Sequence, residues 1–408
     1  MVREERLIIW LTGEIGEEAA PAVDGIDWRK VLRLARANRL VGAVFDGLDR
    51  AGLLSTLPEI VRKSLEDDYL RQVTGIRSAL DLAAALTGRF SAAKTPMIVL
   101  RGPALGLAVY SRPFLRPFSD LDLLVRKEDL PRAKATLGEA GLRPAPGTFP
   151  DRYFERRHLH LPYLHPETGI PVELHWSFDH PYTLSLVEYS ELFSGSREAD
   201  FEGKKIPTLE PADRLLTLAL HLIKHCPFLS ELLEERDFSS LLFRGRWLLW
   251  VLDLRLAITP PGEKLDWKVI AEKARRWNLE REVSTCLTAV AAVYGSLSDE
   301  VSFPISRAGP GGLLRREIYR RQLLYLKDRS QSGRLTRKLF GLQAESVFRP
   351  VRILDLSGYL FPGSGWLEKR YRVRGFAVIP AAVFHAARGL VRLTGNLLDY
   401  LYYRFRPC

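Results

Sequence analysis

The chain has 408 residues, 46% hydrophobic and 27% charged, which is enough apolar material for a sizeable core and two or three structural units. Its three cysteines, Cys226, Cys286 and Cys408, stand far apart with no Cys-x-x-Cys or Cys/His spacing; this argues against a disulfide framework or zinc site and fits a reducing cytoplasm. The formal charge of +11 is uneven: residues 301–408 carry 20 Lys+Arg against 6 Asp+Glu, a net of +14, which leaves residues 1–300 at −3.

Arg3, Glu4, Glu5 and Arg6 break up the N-terminal apolar run, so a signal peptide is not expected. No stretch approaches the roughly 20 uncharged apolar residues of a membrane span, because His385, Arg388 and Arg392 interrupt even the apolar segment after Phe376. Helical spacing of Val31, Leu32, Leu34, Leu40, Val44 and Phe45 predicts helix over 27–48, and Leu65, Leu70, Val73 and Ile76 continue it over 59–90. Met97-Ile98-Val99-Leu100 then reads as a short buried strand entering a tight loop at Gly102. Pro103 to Tyr110 suits one or two helical turns, because proline is tolerated in the first turn.

After a turn-rich connector with Pro113 and Pro117, Asp120 to Val125 alternates polar and apolar as a strand does. Asp129 and Pro131 start a helix that Gly141 stops. His158 to Leu164 and Ile170 to Trp176 are two further strands joined by a hairpin-like turn at 165–169. Helical periodicity returns over 210–226, 241–258, 267–277 and 281–294. The expected fold class is α+β: a helical N-terminal region at 1–92, a core with a small mixed sheet at 93–209, a helical domain at 210–305 and a basic, aromatic-rich tail at 306–408, with Ser306 to Gly312 as linker.

Carboxylates at i and i+2 of a strand project from one face, so Asp120 and Asp122 sit side by side while Leu121 and Leu123 turn to the core. Crowded like charges need a cation, and Mg²⁺ takes oxygen ligands and is commonly shared between carboxylates and nucleotide phosphates. Glu173, mid-strand in Val172-Glu173-Leu174-His175-Trp176, is the candidate third carboxylate of a two-ion site holding Mg²⁺ or Mn²⁺. Arg101, Gly102, Arg116 and Ser119 are candidate phosphate-binding residues, and His175, His221 and Asp253 are candidates to line an acceptor pocket. Asp253 has a bland alternative as the partner of Arg255 or a distant arginine. His221 and His225, one helical turn apart without an evident third ligand, read more simply as ordinary histidines than as a metal pair.

The runs Leu100-Arg101-Gly102-Pro103-Ala104-Leu105, Arg116 to Val125 and Val172 to Trp176 resemble the uncharacterised nucleotidyltransferase family of bacteria, within the DNA polymerase beta-like superfamily. The resemblance implies a strand, a glycine loop, an Asp-x-Asp strand and a later acidic strand, which map to Gly102, Asp120, Asp122 and Glu173. It extends more loosely to Leu218-Ala219-Leu220-His221 and Trp250-Val251-Leu252-Asp253, and covers about residues 27 to 300. It implies metal-dependent transfer of a nucleoside monophosphate from a nucleoside triphosphate to a small-molecule, glycan or protein hydroxyl, with pyrophosphate release. Arg101 stands where the family has lysine, and Pro103 where active relatives place Gly or Ser. That departure motivates the alternative of an inactive scaffold or nucleotide-binding protein at a membrane-associated biosynthetic complex.

A glycosyltransferase Asp-x-Asp is disfavoured, because no βαβ series precedes Asp120. In the tail, Val383, Phe384, Leu390, Val391, Leu397, Leu398 and Leu401 form an apolar face, opposite a stripe of His385, Arg388, Arg392, Asn396 and Asp399. This suits either packing on the protein itself or docking to an anionic membrane, with nucleic acid a weaker third. The expected location is the cytoplasm, peripheral to the inner membrane face.

Overall fold

The computed structural model describes residues 1–13, 21–146, 159–178 and 185–295 apart from 227 and, as isolated pieces, 151, 154–155, 297, 301–303, 367, 371–372, 378–388 and 390–391. The predicted linker at 306–312 and the tail residues beyond 391 lie outside the described residues.

Helices α1 (Arg3–Thr12), α2 (Trp28–Ala37) and α3 (Val41–Arg50) precede the 34-residue α4 (Glu59–Ala92). The predicted helix over 27–48 is thus two helices. Asp27 caps α2 by accepting from the Lys30 N–H, and the chain breaks at Arg39, whose φ is +60°. At about 1.5 Å per residue α4 is about 50 Å long. It joins two cores: Val61 and Leu65 belong to one, and Ile76, Leu80, Leu86 and Phe90 to the other.

Strand β1 (Met97–Val99) leads through Gly102 into α5 (Pro103–Val109), then β2 (Leu121–Val125), α6 (Leu130–Glu139), β3 (Arg143–Pro144), β4 (His160–Leu164) and β5 (Pro171–His175). The five strands lie in the order β1-β2-β5-β4-β3. Only β2 and β5 run parallel, with Asp122 beside Glu173; β4 pairs antiparallel with β5, with His160 opposite His175. The sheet is therefore small and mixed, as the sequence predicts. Strand alternation sorts its faces. Leu121, Leu123, Val125, Val172 and Leu174 pack with α4 and Leu137 of α6, whereas Ile98, Leu100 and Leu124 join the larger core. Truncating Leu123, which has no exposure, to alanine costs about 2–5 kcal/mol.

The rest is α7 (Tyr189–Ser194), a hairpin of β6 (Arg197–Phe201) and β7 (Lys204–Thr208), and helices α8 (Pro211–His225), α9 (Leu229–Leu232), α10 (Phe238–Gly245), α11 (Leu248–Ile258), α12 (Trp267–Arg276) and α13 (Glu280–Tyr294). The predicted helix over 241–258 is interrupted, because Arg246 takes a left-handed conformation that ends α10. Helices α8 to α13 share the larger core with α1 to α3, so the N-terminal and C-terminal helices pack together on the side of the sheet where Leu124 points.

Candidate functional site

Past the end of β1, the Leu100 N–H still bonds the Asp122 carbonyl at 3.0 Å, which holds Arg101 beside Asp122. The next residue, Gly102, has φ +60° and ψ −125°, a region closed to other residues, and a Cβ there would sit 3.4 Å from the Asp120 carbonyl oxygen. The loop thereby folds directly against the Asp-x-Asp segment.

Asp122, 4% exposed, has both carboxylate oxygens engaged. Arg101 donates to Oδ2 from Nε at 3.0 Å, its Nη2 lies in ion-pair contact with the same oxygen at 2.9 Å, and His175 Nε2 lies 2.8 Å from Oδ1. The same His175 nitrogen is 3.1 Å from Glu173 Oε2, and His160 Nε2 is 3.5 Å from Glu173 Oε1. Adjacent strands β2, β5 and β4 thus contribute Asp122, Glu173 with His175, and His160 to one face. Asp120 stands just before β2 on that face, with Ser119 Oγ donating to its Oδ1 at 3.0 Å.

The electrostatics are those of too much acid in too little water. Burial, followed by the charges of Asp122 and Glu173, pushes the Asp120 carboxyl up to about 6. Burial also acts to raise Asp122 and Glu173, but the Arg101 charge and the His175 hydrogen bond hold Asp122 far below the usual carboxylate range, and His175 and His160 hold Glu173 below it. His175 itself is raised, because its bonds to the two carboxylates outweigh its burial. Its Nδ1 is buried without a hydrogen-bond partner among the described residues.

Three hard oxygen donors on one face, one of them discouraged from ionising by the other two, match what a divalent cation relieves. Among the described residues, the group whose ligand atoms lie within 4.8 Å of one another is His160, Glu173 and His175, a mixed nitrogen and oxygen set able to hold an ion, and neither Asp120 nor Asp122 belongs to it. His160 went unnoticed in the sequence. Its signal is its register opposite His175, with the two rings 4.9 Å apart.

The remaining candidates fall around this face. Arg116 is buried and paired with Asp253 at 2.9 Å and 3.2 Å, and Tyr110 donates to the same carboxylate at 2.6 Å. The structure therefore ties Asp253 to a distant arginine. Arg101 also donates from Nη1 to Nδ1 of His221, whose pKa burial and the arginine charge push well below its usual 6.5. His221 further packs edge-on to Trp250, and His225 stacks on that ring at 4.7 Å. A shallow cleft lined by Leu100, Arg101, Phe178, Thr217, His221 and Lys224 opens next to the acid cluster.

A small mixed sheet carrying an Asp-x-Asp strand behind a glycine loop, with a parallel neighbour supplying the third carboxylate, defines a nucleotidyltransferase-type core. The family model of the uncharacterised nucleotidyltransferases matches residues 24–295, two thirds of the chain, and the protein belongs to that family. No curated protein and no solved structure matches the chain.

Proposed function

We propose that the protein moves a nucleoside monophosphate from a nucleoside triphosphate to a hydroxyl acceptor, with Asp120, Asp122 and Glu173 holding Mg²⁺ or Mn²⁺. The observation that supports this most is the crowding of these three carboxylates on one sheet face, with Asp120 pushed up to about 6 by burial and by the other two. When bound, the ions supply neutralising charge for the triphosphate and acidify the acceptor hydroxyl. The acceptor oxygen bonds to the α-phosphorus as the bond to the β-phosphate oxygen breaks, and pyrophosphate leaves. Arg101 is the counter-charge of Asp122, and His175 Nε2 bridges Asp122 and Glu173. Arg101 is the group suited to exchange Asp122 for a phosphate, since its planar fork fits either partner. Ser119 orients Asp120.

The test is to incubate purified protein with magnesium and each α-labelled triphosphate in a host extract and to identify the labelled product. Transfer is expected for the wild-type chain, and its persistence in Asp122→Asn would sink the assignment. One observation favours a second reading as a scaffold or nucleotide sensor: both oxygens of Asp122 are already occupied by Arg101 and His175. Calorimetry separates the readings. A scaffold binds no triphosphate with magnesium, and a sensor binds it without releasing pyrophosphate.

No helix among the described residues is long and apolar enough to cross a membrane. The helical residues 378–388 and 390–391 leave Val383, Phe384, Leu390 and Val391 more than half exposed, while His385 is buried and bonded to Tyr371. With the basic surplus of 301–408, that face supports docking to an anionic lipid surface. A chain ending at Ser306 that sediments with anionic vesicles as well as the full chain does would remove this reading.

A further inference from the structure

We propose that Arg39, outside the sheet core and between α2 and α3, is the guanidinium that binds the triphosphate beside Asp120; the inference rests on the nucleotide reading above. Arg39 closes α2 in the manner of a Schellman turn. Its own φ is +60°, and the following Leu40 N–H reaches back to the Ala35 carbonyl at 2.8 Å. Glycine is the usual residue there, and an arginine costs about 1 kcal/mol in this backbone region.

The packing shows where the turn is held. Gly42, one step into α3, lies so close to the loop before β2 that a Cβ would fall 2.7 Å from the Leu115 carbonyl oxygen. From α4, Gln72 donates to the Phe114 and Leu115 carbonyls at 2.8 Å and 3.1 Å. The α2–α3 junction is thereby seated on Phe114 and Leu115, directly before the segment that runs from Arg116 to Asp120. The Arg39 guanidinium is largely withdrawn from water there, within electrostatic reach of Arg116, Asp253, Asp120 and Tyr110.

Yet its side chain has no hydrogen bond and no ion pair among the described residues, unlike the other two arginines of the site. Arg101 is paired with Asp122, and Arg116 with Asp253. Asp253 accepts three hydrogen bonds, from Arg116 and Tyr110, and none comes from Arg39. Burial and the neighbouring Arg116 hold Arg39 below the usual guanidinium range against the pull of Asp253 and Asp120, as expected of a cation short of counter-charge. Arginine does not resolve such a shortage by losing its proton. A polyanion entering next to Asp120 resolves it, and a triphosphate offers the planar, bidentate acceptors that a guanidinium fits.

The test is calorimetric titration of the full chain with the magnesium complex of each of the four common nucleoside triphosphates and with the matching monophosphates. For the triphosphate that binds the wild type most tightly, Arg39→Gln is expected to weaken affinity by about tenfold or more while changing monophosphate affinity little. Arg39→Gly guards against misfolding, since glycine suits the turn better; it should melt no lower than the wild type and show the same selective loss. Either variant binding the triphosphate as tightly as the wild type overturns the role of Arg39 and leaves the nucleotide reading standing. A wild-type chain that takes up none of the four overturns both.

Discussion

Two of the ionic clusters in this molecule are joined by the segment 116–122, and they are built on opposite plans. Around Asp253, one carboxylate meets one guanidinium and one phenol: Arg116 and Tyr110 fill its oxygens, and all three residues are buried. Charge is balanced there. Burial drives the Tyr110 hydroxyl well up, and Asp253 raises Arg116 despite its burial, so the phenol and the guanidinium both keep their protons. Around Asp122, three carboxylates share one guanidinium and two imidazoles, and burial raises Asp120 because its neighbours are acids. A cluster whose charges cancel has nothing to offer a ligand. A cluster with surplus acid, beside an arginine without a partner among the described residues, suits a cation and a polyanion together.

The largest expected effects come from exchanging the two kinds of carboxylate. Asp120→Asn, Asp122→Asn and Glu173→Gln should each reduce transfer by about a thousandfold or more, because the chemistry is charge neutralisation and positioning. Asp120→Asn should also leave the melting temperature unchanged or raised, since it removes a carboxylate that its neighbours repel. Asp253→Asn is expected to do the reverse. It strands the buried Arg116 charge at a cost of about 3–5 kcal/mol, read as a fall in denaturation midpoint. Tyr110→Phe removes one hydrogen bond from the same carboxylate and should cost about 1–3 kcal/mol. If Asp120→Asn unfolds the protein while Asp253→Asn is silent, the contrast between the clusters is wrong.

Much of the acid cluster was legible because strand alternation is a local rule. Asp120 and Asp122 share a face by spacing alone, and Leu121 and Leu123 turn to the other core as that rule requires. The partners were not legible. Arg116 and Asp253 are 137 residues apart, and Arg101 and His221 are 120 apart, so no periodicity connects them. The helix breaks at Arg39 and Arg246 were hidden for a different reason: both take a positive φ without the glycine that normally announces it. The β6–β7 hairpin escaped similarly. Its turn has positive φ at Glu202 and Gly203, where Asn-Gly would have signalled the turn, and its exposed Arg197, Glu198, Lys204 and Lys205 blur the alternation. Family resemblance pointed to the face that carries Asp120, Asp122 and Glu173, but only coordinates place His160 opposite His175.

The smallest expected effect concerns the residue that steadies Arg101 from its far side. His221 accepts from Arg101 through Nδ1, so it must be neutral to do so, and burial together with that arginine holds its pKa well below 6.5 in the folded protein. In the unfolded chain the imidazole protonates near 6.5, so below that pH the unfolded state binds the proton that the folded state refuses. The contribution of His221 is therefore fully present above about pH 6.5 and is lost progressively as the pH falls toward its folded value. His175 works in the opposite direction, because its pKa is raised, so the net acid sensitivity of the wild-type chain does not isolate His221. Comparison with His221→Asn does, since the asparagine carbonyl stands near the place of Nδ1, accepts from Arg101 and does not titrate. The melting temperature of this variant should fall less steeply than that of the wild type between pH 7 and pH 5. Parallel curves would mean that His221 is protonated in the folded state, and Arg101 would then be held by Asp122 alone.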